Sequence, residues 1–499
     1  MKMEFDLRSI SFIISFFIFL LILTKILKKP NSTLKLPPGP PQLPIIGNLH
    51  NLLGSSLTHQ TLKHLSDKYG PLMYLKLGEH SAVVVSSPEL ATQIMKTHDV
   101  IFAQRPITLV STIVWYNSTG IAFSPNNDYW RQLRKICVME LMSLKRVQSF
   151  RSIREEEVWN LVTDLKSNVN SVINLSKKIF SLTYAITGRA ALGQKNSDQE
   201  LVIKLVEDIT KFAAGFSVAE LYPSVRILQV MSGERSKLEK IHERMDTVLE
   251  RILHQHKQEN PRKTGEEDLV DVLLRIQKNG ELEFPLTDDN VKAVIWDIFT
   301  AGSETSSTTV EWAMSEMLRN PRIMEIAQTE VWRVFGPKGN VDETGLNELK
   351  YLKAVIKETL RLHPSAPLLL PRESNQACEI NGYTIPVKTK VMVNAWAIGR
   401  DPRFWTEPER FDPERFLDSE IDFKGTDYEY TPFGAGRRIC PGILFALPNI
   451  ELPLAHLLYH FDWKLGANLK FEDLDMTESF GLTVRRKNDL YLIHVPHYI

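Results

Sequence analysis

Cysteine is scarce in this chain. Cys137, Cys378 and Cys440 are the only three among 499 residues, they lie far apart, and no two form a C-x-x-C pair. An odd, scattered set argues against a disulfide framework and against a cysteine-rich zinc module. Net charge is also missing, because 60 basic residues offset 60 acidic ones. A general nucleic-acid binder needs a basic excess to release counterions, so no nucleic-acid partner is expected. No internal repeat and no low-complexity tract is visible. A hydrophobic content of 43% is enough to build a large core, which argues against a disordered chain. Length alone would allow about three domains.

The even charge balance hides an uneven start. Lys2, Glu4, Asp6 and Arg8 cancel, then Ser9 to Thr24 carries no charge and is densest from Phe12 to Leu23. Extended through Lys25, Ile26 and Leu27, the run gives about 28 Å of helix, close to a bilayer core of about 30 Å. Lys28, Lys29 and Lys35 follow, with no acid before Asp67. The positive-inside rule then places the remaining bulk in the cytoplasm. A cleaved signal peptide is the competing reading, but lysines and Pro30 follow the run in place of a small-residue cleavage site. An uncleaved anchor with its basic flank is expected over 1–29. Pro37, Pro38, Pro40, Pro41 and Pro44 crowd the next segment, where they favour an extended strap over 30–50. Residues 51–499 read as a single body.

That body is expected to be mainly α with a minor β region. Tyr69 to Ser86 alternates like a hairpin around Gly78-Glu79-His80. From Pro88 to Pro364 the pattern is mostly helical, with strong 3.6-residue periodicity over 236–258 and 265–279. Cys378 to Asn394 returns to strand around an Asn-Gly turn, and 480–496 also reads as strand. A long helix is predicted from an N-cap at Thr287, with Asp288 and Asp289 in its first turn, to Pro321. Its centre is polar: Ala301-Gly302-Ser303-Glu304-Thr305-Ser306. A solvated stretch, which the flanking apolar turns weaken, or close helix packing at glycine is one reading. A local opening, with Thr305 donating into a cavity and Glu304 supplying protons, is the other. Glu358 and Arg361 share a helix face, and a lone pair of that kind is routine.

Phe433 to Gly442 reads FGAGRRICPG. Two glycines permit a tight loop, Arg437 and Arg438 flank Cys440, and an apolar helical stretch, Ile443 to Leu458, follows. That setting is expected to lower the thiol pKa and to suit either a nucleophile or a soft metal ligand. No histidine stands in a cysteine-hydrolase motif, so thiolate ligation of haem iron is the stronger of the two.

At these residues the chain resembles a cytochrome P450 monooxygenase, and is similar to the plant A-type microsomal branch. The loop matches F-x-x-G-x-R-x-C-x-G at every fixed place. The proline strap, Trp130-Arg131-Gln132-Leu133-Arg134, AGSETS at 301–306, Glu358-x-x-Arg361 and FDPERF at 411–416 stand in family order. The resemblance implies a cytochrome P450 fold with an N-terminal transmembrane anchor helix. It implies haem b held by Cys440 as the iron ligand. Trp130, Arg134, Arg372 and Arg438 would lie at the propionates, with Phe433 near the sulfur. Glu358, Arg361 and Arg415 would form a structural triad, and Glu304 and Thr305 would manage proton delivery. O2 is the implied co-substrate, with NADPH electrons arriving through a membrane-bound cytochrome P450 reductase. Arg131, Arg134, Lys135, Lys145, Arg146, Arg437 and Arg438 are candidates for a basic docking face. The implied location is the endoplasmic reticulum membrane, single-pass, with the body facing the cytoplasm. Pro448 and Pro453 depart from a regular helix after the cysteine, so an irregular or kinked turn is expected near Leu447.

The family's variable substrate regions map to 101–123, 205–220, 295–305, 365–371 and 479–484. They offer Val114, Phe123, Phe212, Phe216, Ile298, Ala301, Ala366, Leu370, Phe480 and Leu482. Such a lining suits a small lipophilic specialised metabolite, a terpenoid first and an alkaloid or phenylpropanoid next. A haem-thiolate isomerase or dehydratase, and a non-enzymatic haem-binding protein, are the alternatives.

Overall fold

The computed structural model describes Phe16 and residues 34–499, apart from 55–56, 194–197, 214–216, 259–266, 281, 467–469 and 498–499. The expected anchor lies outside the described residues except for Phe16, as does Phe216. Among the described residues no helix is long and apolar enough to cross a membrane.

Helices dominate: α1 (Thr58–Tyr69), α2 (Asp128–Ile136), α3 (Arg151–Ser167), α4 (Leu175–Leu192), α5 (Gln199–Phe212), α6 (Glu234–Gln258), α7 (Leu269–Asn279), α8 (Asp288–Arg319), α9 (Pro321–Phe335), α10 (Lys350–Leu362) and α11 (Ile443–His460). The strands are short: β1 (Leu72–Leu77), β2 (His80–Val85), β3 (Val172–Asn174), β4 (Arg372–Glu373), β5 (Cys378–Ile380), β6 (Tyr383–Ile385), β7 (Lys390–Val393), β8 (Phe461–Leu465) and β9 (Tyr491–Pro496). They make three sheets, in the orders β1-β2-β7-β4, β3-β9-β8 and β5-β6.

The central helix α8 starts and stops where the sequence says it should. Thr287 Oγ1 accepts from Asn290 N at 3.2 Å, and Asn290 Oδ1 accepts from Thr287 N at 2.9 Å, which closes a capping box. Asn320 ends α8 and Pro321 opens α9, the one helical position where a missing N–H costs nothing. The helix continues through the polar centre, where three of the hydroxyls, those of Thr305, Ser307 and Thr309, turn back on the backbone. Ser307 donates to Ser303 O at 3.0 Å and Thr309 to Thr305 O at 2.9 Å. Gly302 sits where α4 and α11 press on α8: a Cβ there would meet Thr187 Cγ2 at 3.3 Å and Phe445 Cε1 at 3.4 Å. The close-packing reading therefore holds at this glycine.

α11 is one continuous helix from Ile443 to His460 with Pro448 and Pro453 inside it, so the departure expected near Leu447 does not interrupt it. Burial of Phe445, Ile450, Leu454 and Leu458 offsets the two lost backbone bonds. Strand over 480–496 shrinks to β9. The earlier part spends its backbone donors elsewhere, Leu482 N on Thr210 O at 3.2 Å and Val484 N on Ser365 O at 2.9 Å. The strap is stitched to β1 through Tyr74 N to Pro38 O at 2.8 Å and Asn48 N to Lys76 O at 2.6 Å. At Gly39 a Cβ would fall 2.0 Å from Tyr74 O, so only glycine allows that approach.

Two large apolar clusters meet around α8. One joins α3, α4 and α8 to α11, and the other fills the space between residues 110–150 and helices α4 to α8. Two smaller clusters cover the faces of the four-stranded sheet.

Candidate active site

The loop before α11 turns through Gly434 and Gly436, both at positive φ (69° and 67°). At Gly436 a Cβ would lie 2.0 Å from Met95 O. Cys440 N donates to Phe433 O at 3.0 Å, which closes the loop and leaves the side chain on the wall of a cavity of about 300 Å³. Phe433, Ala301, Gly302, Glu304, Thr305, Arg105, Arg134, Arg372 and Arg438 share that wall.

The expected thiol shift is reversed. Burial pushes the Cys440 thiol up, while the Gly442 N–H and Arg134 pull it down. The flanking arginines do not help, because they point elsewhere. Arg437 is exposed beside Asp99, and Arg438 donates to Ala103 O at 2.8 Å and Ser124 O at 2.6 Å. A free nucleophile gains nothing from this setting, whereas a bound metal cation deprotonates a coordinating thiol outright.

Four guanidinium groups converge on the cavity. Arg105, Arg372 and Arg438 are buried, and Arg134 donates to Ile439 O beside the cysteine. Asp99 alone pairs with them among the described residues, through Arg372 Nη1 at 2.8 Å. Burial and then the neighbouring Arg372 and Arg134 push Arg438 down to about 9. Arg105 is held well below its usual value by burial, Arg438, Arg372 and Arg134. Such uncompensated positive charge is costly unless an anion completes it. A macrocycle with two carboxylates and an iron that binds sulfur fits this donor set. Trp130 is not among the residues of the cavity wall; its Nε1 donates to Ile121 O at 3.0 Å and its ring carries Arg438, which is, at 3.8 Å.

Glu304 is only 4% exposed and its Oε2 has no protein partner. Burial pushes it up to about 7, with Arg485 opposing and Glu207 and Glu311 reinforcing. Thr305 reaches the cavity wall, but its hydroxyl is spent on Ala301 O at 2.7 Å and is not offered inward. Glu358 and Arg361 are far from routine: both are fully buried, and Arg361 Nε and Nη2 meet the carboxylate at 2.7 and 2.8 Å. Arg415 Nε joins at 3.0 Å, and Arg361 Nη1 ties Gly399 O and Pro408 O at 2.6 and 2.7 Å.

Of the expected substrate residues, Phe123, Ile298, Ala301, Ala366, Leu370 and Leu482 line the cavity. Val114 is fully buried core. Phe212 and Phe480 face a second cavity of about 110 Å³ that shares Phe123 and Leu482 with the first. Among the basic candidates, Arg131, Lys135, Lys145 and Arg437 are exposed. Arg134 and Arg438 turn inward and Arg146 is tied to Glu267, so these three do not build a docking face.

Sequence reasoning missed Arg105 and Asp297. Arg105 had a signal: it is the only charge between Asp99 and Asp128. It holds Ala122 O, Leu370 O and Pro371 O at 2.9, 2.7 and 2.7 Å. Asp297, on α8, accepts from Trp115 Nε1 at 2.8 Å, from Ile121 N and from Ala122 N at 3.1 Å. It thereby clamps the segment that roofs the cavity. Burial pushes it up to about 6 against those three donors. Asp297→Asn aims an amide N–H₂ at backbone donors, and is expected to cost about 1–3 kcal/mol in a urea unfolding series at pH 7.

The comparisons agree with this geometry. The family model described as Cytochrome P450 matches residues 37–493. The chain is 56% identical to tabersonine 16-hydroxylase 2 of Catharanthus roseus, over 97% of this chain and 96% of that protein. It is 51% identical to salviol synthase of Salvia pomifera, over 98% of each. A zebra fish cytochrome P450 structure with progesterone superposes with a TM-score of 0.77 at 26% identity, covering 89% of this chain and 100% of that one.

Proposed function

The chain belongs to the cytochrome P450 family and is a haem-dependent monooxygenase supplied with electrons by a reductase, and from that premise we propose that it oxidises a lipophilic specialised metabolite of terpenoid or alkaloid type. The observation that carries this is the joining of one cavity, Cys440, four poorly compensated arginines and an apolar wall. The names of its relatives support the substrate class: one hydroxylates tabersonine and another makes salviol.

In this reading Cys440 holds the iron, and Arg105, Arg134, Arg372 and Arg438 hold the carboxylates of haem b. Bound haem supplies the iron centre that activates dioxygen. The protein does the rest. Trp130 fixes the plane of Arg438, and the Asp297 clamp closes the roof against water. Phe123, Ile298, Ala366, Leu370 and Leu482 orient an apolar skeleton by shape. Glu304 titrates near neutrality, so it can both hold a proton and release it beside Thr305. The reading also takes 1–29 as an anchor in the endoplasmic reticulum membrane, 30–50 as the strap and 51–499 as the catalytic domain on the cytoplasmic side. Tyr222 donates to Ile45 O at 3.4 Å, and exposed Leu43, Ile45, Val230 and Met231 offer an apolar surface for the bilayer.

The test is turnover of the purified full chain with cytochrome P450 reductase, NADPH and a panel of terpenoids and alkaloids. The expected result is NADPH-dependent product carrying one added oxygen. Conversion without NADPH would replace this reading with an isomerase or dehydratase. Haem content without substrate-stimulated NADPH use across the panel would overturn it as well.

A further inference from the structure

Between α4 and α8 runs a seam of buried polar atoms that no protein group satisfies. It includes Tyr184 Oη on α4, with Glu304 Oε2, Thr308 Oγ1 and Glu311 Oε2 on α8. All four residues are almost fully buried. Groups of this kind are satisfied by ordered water. Thr308 lies four residues after Glu304 and three before Glu311, so the three share one face of α8. Glu304 and Glu311 are about 10 Å apart along the axis, a span a short file of water bridges.

The two ends of the seam differ. Glu304 meets the cavity. Glu311 accepts from Ser176 Oγ, which in turn accepts from Leu490 N at 2.7 Å, next to exposed Asp489. Arg485, paired with Glu207 at 3.1 Å and set over Phe180 at 5.1 Å, acts on both carboxylates.

We propose that Glu311 is a second proton station that refills Glu304 through the hydroxyl-lined seam between α4 and α8. The proposal rests on the reading that Glu304 releases protons into the cavity. Each cycle leaves Glu304 as a carboxylate. A proton passes from the Glu311 carboxyl along the seam to Glu304, and Glu311 regains one from bulk water at the Ser176–Leu490 end, with no net change at either site. Burial supports the assignment, since it also pushes Glu311 up to about 7, opposed by Ser176, Arg486 and Arg485 and reinforced by Asp489. Tyr184 and Glu207 face Glu304 from α4 and α5.

Glu311→Gln keeps an acceptor for Ser176 and removes the titration. Thr308→Val cuts the seam and leaves both carboxylates. In the holoprotein with reductase, each variant is expected to lower product per NADPH by about tenfold, short of the 10²–10⁴ typical of a direct general acid. Each is expected to raise the solvent isotope effect. Infrared titration of the resting holoprotein should show the Glu304 and Glu311 carboxyls near neutrality beside those of Asp297 and Glu451, which burial also raises and which are assigned by their own Asn and Gln variants. Glu311→Gln should remove one and shift Glu304 downward, because a nearby negative charge is gone. Wild-type coupling in both variants, or an unmoved Glu304 titration in Glu311→Gln, overturns the proposal. Glu304→Gln separates the two levels. If it uncouples turnover while Glu311→Gln and Thr308→Val do not, only the second station falls. If it leaves coupling unchanged, the role of Glu304 falls first.

Discussion

Cys440→Ser, prepared as the full chain, is expected to lose the strongly red-shifted Soret band of the reduced carbon monoxide complex. Its monooxygenase activity should fall by more than about 100-fold, beyond the 10–100-fold typical of losing a mere outer-shell partner. The substitution is nearly isosteric, and the loop is closed by backbone, through Cys440 N to Phe433 O, so the fold survives. What is lost is the soft anionic donor. The thiol is raised by burial in the free chain, so its charge is established only when the metal takes the proton's place. A hydroxyl, with a far higher intrinsic pKa, does not make that exchange. A serine variant that keeps the same band would remove Cys440 from the iron and with it the whole assignment.

The second large effect belongs to stability. Glu358→Ala leaves the Arg361 guanidinium buried with no countercharge and removes an acceptor from Arg415 Nε and Asp412 N. Truncating one member of a buried ion pair costs about 3–5 kcal/mol, a large share of a total that is typically about 5–15 kcal/mol. The variant should therefore accumulate poorly and unfold at much lower urea, followed by circular dichroism. Arg415→Ala, at a side chain that is 12% exposed, should cost less, about 1.5–3 kcal/mol for a charge-assisted hydrogen bond. Equal midpoints for Glu358→Ala and the wild type would contradict the triad's structural role.

Some of this was legible in the chain and some was not, for reasons that can be stated residue by residue. α8 was readable from end to end because its cap, its acidic first turn and its terminating proline are local signals. The cysteine loop was readable because glycine, arginine and cysteine at fixed spacing constrain the backbone. The Glu358–Arg361 pair carried no signal of its own: an i, i+3 pair looks the same on a surface as in a core, and only the carbonyls of Gly399, Pro408 and Arg410 distinguish the two. The Cys440 shift was misread because composition reports which charges are adjacent in sequence, while rotamers decide where they point. Arg438 turns to Trp130, and it is Arg134, three hundred residues upstream, that faces the sulfur. The substrate wall was half legible. Ile298 and Ala301 on α8 reach the cavity because the helix fixes their phase, whereas Phe212 and Phe480 sit at segment ends whose direction depends on tertiary contacts.

One carboxylate on α8 holds three donors of the roof at once, the indole of Trp115 and the amides of Ile121 and Ala122. These bonds share an anchor, so they do not let go one by one. Loss of that one carboxylate releases the indole and both amides together, so this stretch of the cavity wall depends on a single side chain.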